Sequence, residues 1–79
     1  MKFDEILQMV EVTEEDRQHF IVDCSSWGRY CTAISFYNKM QILKLIKYLL
    51  DERPSGKQLL ARAVMRFNRL NALYVHHLT

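Results

Sequence analysis

Apolar residues recur along this chain with two different periods. Phe3, Ile6, Leu7 and Val10 fall at i, i+3, i+4 and i+7, which is one face of a helix, and Asp4 and Glu5 sit where a helix dipole favours acids. A short helix over about residues 2–11 is therefore expected, with a strand ending in Val10, Glu11, Val12 and Thr13 as the competing reading. Residues 13–18 are polar and read as a turn or connector.

The period then changes. Over residues 19–24, Phe20, Val22 and Cys24 alternate with other residues; over 29–37, Tyr30, Thr32, Ile34 and Phe36 do the same. β-Branched and aromatic residues suit a pleated surface. With Ser25, Ser26, Trp27 and Gly28 between them, the two runs predict an antiparallel hairpin, Gly28 supplying the positive φ of its turn.

The helical period returns at Asn38, an N-cap residue with Gln41 three positions on to complete a capping box. Ile42, Leu43, Ile46, Leu49 and Leu50 form an apolar stripe over residues 38–52. Arg53 before Pro54 ends it, because the residue before proline avoids the α region. Ser55, with Gln58 after it, restarts a helix. Its stripe of Leu60, Ala63, Val64, Phe67, Leu70, Tyr74 and Leu78 predicts roughly 22 residues and about 33 Å of length. The expected fold is thus α+β: a short N-terminal helix, an antiparallel β-hairpin, then two amphipathic helices packed on the hairpin, since a hairpin alone is marginal in water.

Length limits what such a chain can be. At 79 residues it holds one small domain with a thin core. Its composition, 49% hydrophobic and 25% charged with 2 Gly and 1 Pro, excludes collagen-like and disordered classes. No apolar run approaches the ~20 residues that span a membrane. The N-terminus lacks the uninterrupted apolar stretch of a signal peptide. A soluble cytoplasmic chain is expected.

Charge changes the picture more than composition does. The formal net charge is only +2, yet residues 1–37 carry Lys2, Arg17 and Arg29 against seven acids, a net −4. Residues 38–79 carry eight basic residues against Asp51 and Glu52, a net +6, and no acid follows Glu52. Such a split points to an electrostatic partner, or to two halves that neutralise each other in the fold.

The sharpest charged feature is Arg62, Arg66 and Arg69, spaced i, i+4, i+7 and lying within about 60° on a helical wheel, with His76 on the same edge. It reads as a docking ridge for an acidic protein surface or for a phosphate backbone, or as a solvated outer face. Trp27, Arg29 and Tyr30 at the hairpin turn are of the types enriched at binding hot spots, though the indole could equally plug the end of the core. Leu45 and Tyr48 point off the main stripe of their helix, as a dimer contact or as the second side of a sandwiched helix.

Reactive chemistry is sparse. Cys24 and Cys31 flank the turn without the tight C-x₂₋₄-C spacing of a zinc site, and adjacent His76 and His77 project about 100° apart, so with His19 they form a poor ligand set. Buried free thiols are the expectation, with no metal and no cofactor. There is no phosphate-binding glycine loop, and a chain this short has little room for a deep pocket. Together these features predict a non-enzymatic protein-binding module, an adaptor, regulator or inhibitor of the kind that viral or mobile-element chains supply, acting by occupying a partner's surface. Nucleic-acid binding through the last helix is the alternative. A homodimer, acidic half against basic half, is a further candidate.

Overall fold

A computed structural model describes the backbone from residue 2 to 78 and the side chains to residue 72. Five helices follow one another: α1 (Phe3–Met9), α2 (Glu14–Asp23), α3 (Trp27–Ile34), α4 (Lys39–Glu52) and α5 (Lys57–Leu78). No strand occurs among the described residues, so the protein is a small helical bundle and the α+β expectation fails at the hairpin.

The physical reason lies at the start of each replaced segment. Residues 13–18, expected to be a connector, open α2 through a capping box. Thr13 Oγ1 accepts from the Asp16 amide at 3.1 Å, and Asp16 Oδ2 accepts from the Thr13 amide at 3.0 Å. Glu14, Glu15 and Asp16 then lie in the first turn, where the helix dipole favours them. Ser26 caps α3, its hydroxyl accepting from the Arg29 amide at 3.3 Å. The supposed hairpin turn is thus a helix start, and Gly28 has no positive φ.

Burial confirms the helical period. A strand would hide Phe20, Val22 and Cys24 together; the fold buries Phe20 and Cys24, four apart, and leaves Val22 47% exposed. Likewise Tyr30 and Ile34 are buried, while Phe36, two further on, is 83% exposed.

Helix α4 is the centre of the bundle, touching α1, α2 and α5. Ile42, Leu43, Leu45, Ile46, Tyr48 and Leu49 are all buried. They cover about 220° of its circumference at 100° per residue, far wider than the stripe of a surface helix. Each fully buried side chain of this size contributes about 1.5–3 kcal/mol. The expected capping box is present, with Asn38 and Gln41 exchanging bonds of 2.8 Å.

Helices α1 and α5 form where the sequence places them. Phe3 of α1 meets Phe67 of α5 edge-on at 5.4 Å, and Lys47 donates to the Val10 carbonyl at 2.7 Å. The chain breaks at Pro54, but α5 starts from Lys57, with the Gly56 carbonyl accepting from Leu60 at 3.0 Å. Gly56, and not Ser55, holds the cap position.

Candidate functional site

Helices α3 and α5 run side by side in the same direction. Near their starts the Tyr30 hydroxyl donates to the Leu59 carbonyl at 2.5 Å; near the end of α3, Arg66 Nη2 donates to the Ser35 carbonyl at 3.0 Å. Between these ties lies a groove. Its α3 wall is Cys31, Ile34 and Ser35, spaced i, i+3, i+4. Its α5 wall is Arg62, Met65, Arg66 and Arg69, spaced i, i+3, i+4, i+7. The concavity they enclose is about 100 Å³.

Every basic group on that wall faces no acid. Among the described residues the ion pairs are Arg17 with Glu14 at 3.5 Å, Arg17 with Glu52 at 2.7 Å and Lys44 with Asp16 at 3.4 Å. The acidic half is tied to α4 through Lys44 and Glu52, and Arg62, Arg66 and Arg69 take part in none of these pairs. Arg62 and Arg69 are exposed; Arg66 is half-buried, and its Nε is enclosed without an acceptor. By bonding Ser35, Arg66 satisfies a carbonyl at the C-terminal end of α3, where a cation is favoured.

One exposed apolar side chain lines the groove, and two more lie near its residues in the sequence or on the same helix face. Met65 lies in its wall and is 49% exposed, and Phe36 follows directly on Ser35. Trp27, 43% exposed, shares the face of α3 that carries Cys31 and Ile34, at i, i+4, i+7. Its ring sits 6.1 Å from that of Tyr30.

The remaining expected site residues fall elsewhere. Tyr30 is wholly buried, its hydroxyl spent on Leu59 and its pKa pushed well up by burial. It is a core anchor and offers nothing to a partner. Arg29 is exposed on the far side of α3 from the groove. Leu45 and Tyr48 are buried among the other helices, which is the sandwiched alternative and leaves no outer surface for a second copy. His76, together with Tyr74, His77 and Leu78, lies outside the described side chains.

The cysteines are free. Cys24 is buried, and burial pushes its thiol pKa up; Cys31 is half-exposed in the groove wall. Among the described residues no group of three His, Cys, Asp or Glu side chains is placed to hold a metal, and no helix is long and apolar enough to cross a membrane.

A second, larger hollow of about 550 Å³ lies between α1 and α4. Its walls include Ile6, Met9, Met40 and Leu43, and its one lysine, Lys44, is already paired with Asp16. It carries no charge pattern that specifies an occupant.

No protein-family model, no curated protein and no solved structure matches this chain. The functional reading rests on the groove alone.

Proposed function

We propose that the protein is a non-enzymatic binding module whose docking face is the α3–α5 groove, and that its partner is a protein presenting acidic side chains beside an apolar anchor. The observation that supports this is the set of three arginines in the groove, without carboxylate partners, with exposed Met65 in the same wall. Arginine and large apolar side chains side by side are the composition of an interface core. On a nucleic acid, three arginines alone would give a salt slope of only about −3.

The test is affinity capture with the full chain, with and without nuclease, using the wild type and an Arg62→Glu/Arg69→Glu variant. The expected result is an acidic protein retained after nuclease treatment, released by salt and lost with the variant. Capture that nuclease abolishes transfers the groove to a nucleic acid. Capture of the chain's own untagged copy as the sole partner assigns the groove to self-association. A partner held equally by both proteins removes the groove from the interface.

A further inference from the structure

The concavity at the centre of the groove is too small for a nucleotide or a metabolite and the right size for one charged group. Ligand pockets for whole small molecules run to about 300–1,000 Å³. This one, at about 100 Å³, is a third or less of that. Three arginines from successive turns of α5 line it, and no carboxylate does. One of them is held in place: Arg66 is tied through Nη2 to the Ser35 carbonyl, so its fork is oriented before any ligand arrives. The same side chain keeps an Nε–H that is buried with no acceptor. Guanidinium groups match tetrahedral oxyanions with paired hydrogen bonds, and three positive charges suit a dianion better than a monoanion.

We infer that the Arg62, Arg66 and Arg69 pocket is a dianion site that receives a phosphoryl group carried on a side chain of the partner. This deepens the proposed function and rests on the groove being the docking face. It makes the partner's affinity depend on its phosphorylation, since recognition of a phosphorylated side chain by clustered arginines needs just this arrangement. Cys31, half-exposed in the same wall, is a built-in reporter, because Cys24 is buried and will not compete for a thiol reagent.

The experiment titrates the full chain with inorganic phosphate, acetate and chloride at matched ionic strength. It reads the arginine Nε–H resonances and the rate at which iodoacetamide alkylates Cys31. Phosphate is expected to saturate on the order of millimolar, shifting the Arg66 Nε–H signal and slowing alkylation with one shared midpoint. Acetate and chloride should do neither at that concentration. The Arg62→Gln/Arg69→Gln variant, altered only at exposed positions, should weaken phosphate at least tenfold, and a phosphoserine peptide should bind tighter than inorganic phosphate.

Linear shifts that chloride reproduces overturn the site, as does a variant that binds phosphate unchanged. Acetate acting as strongly as phosphate overturns the dianion preference, and a phosphoserine peptide no better than inorganic phosphate overturns the side-chain source. Failure of phosphate to saturate, in a chain whose charge-reversed variant still loses its partner, sinks this inference alone. Equal capture by wild type and charge-reversed variant sinks the docking face itself.

Discussion

Arg66 and its two neighbours on the groove wall carry different burdens. Arg66 bonds the end of α3, so removing its guanidinium costs a charge-assisted hydrogen bond as well as side-chain packing. Arg62 and Arg69 are exposed and bond nothing in the described structure. In urea unfolding, Arg66→Met is expected to lower stability by about 1 kcal/mol, and Arg62→Gln and Arg69→Gln to stay within about 0.5 kcal/mol of the wild type. Equal losses at all three positions would contradict the assignment of Arg66 as the one arginine of the three that bonds α3. Gly28 gives a residue-scale test of α3 itself. Its φ is ordinary and a Cβ there meets nothing within 4 Å. Gly28→Ala should therefore stabilise the protein by about 0.5 kcal/mol, as relief of glycine's entropy cost within a helix. A loss of about 1 kcal/mol is what a positive-φ hairpin turn would have given.

At the scale of elements, α1, α4 and α5 are legible in the sequence because each repeats its apolar residues every three or four positions, and because Asn38 and Gln41 announce a cap. Helices α2 and α3 are not, for a reason visible in their residues. Ile21, Val22, Thr32 and Phe36 are of strand-favouring types, yet they lie exposed on or beside helices, where packing does not use them. Their presence fills in an alternation that looks pleated. The overlooked signals are local: Thr13 with Asp16, Ser26 ahead of Trp27, and the i, i+4 pairs Phe20 with Cys24 and Tyr30 with Ile34. β-Propensity reports fit to a half-buried surface, and here tertiary packing overrode it. The site suffered in the same way. The arginine ridge was readable from its spacing, but its opposite wall of Cys31, Ile34 and Ser35 exists only once α3 is a helix.

The cap of α2 also has a pH signature. Backbone hydrogen bonding from Thr13 holds the Asp16 carboxyl below its ordinary pKa of 3.8, with the Lys44 ammonium adding to the effect. A lowered pKa in the folded state stabilises the fold above the unfolded value, and that contribution is lost as pH falls through the folded one. Acid titration followed by helical circular dichroism should show α2 weakening below about pH 4. In Asp16→Asn that part of the pH dependence should vanish, and Thr13→Ala should cost about 1 kcal/mol at neutral pH. An acid transition identical in Asp16→Asn would mean that the box does not hold α2.

For the whole molecule, the charge split of the sequence resolves into two different uses. Of the α2 acids, Asp16 pairs with Lys44 and Glu14 with Arg17, which also joins α2 to Glu52 of α4. The α5 arginines stay outside that network and define one basic face. Internal neutralisation, the plainer of the two sequence readings, accounts for the α2–α4 contact and not for the groove. Salt should accordingly affect binding more than folding: exposed ion pairs contribute little to stability, whereas a partner held by three arginines weakens as ionic strength rises. Denaturant midpoints and partner affinity, each followed from low to high salt, should separate in this way.

The central claim is that the α3–α5 groove is where a protein partner sits. It is tested most directly by site-specific photo-crosslinking, with a photoreactive phenylalanine analogue placed at Met65 in the groove wall or at Val22 on the exposed side of α2. The account predicts a partner adduct from position 65 that disappears with Arg62→Glu/Arg69→Glu, and none from position 22. An adduct from position 22 with none from position 65 would contradict it.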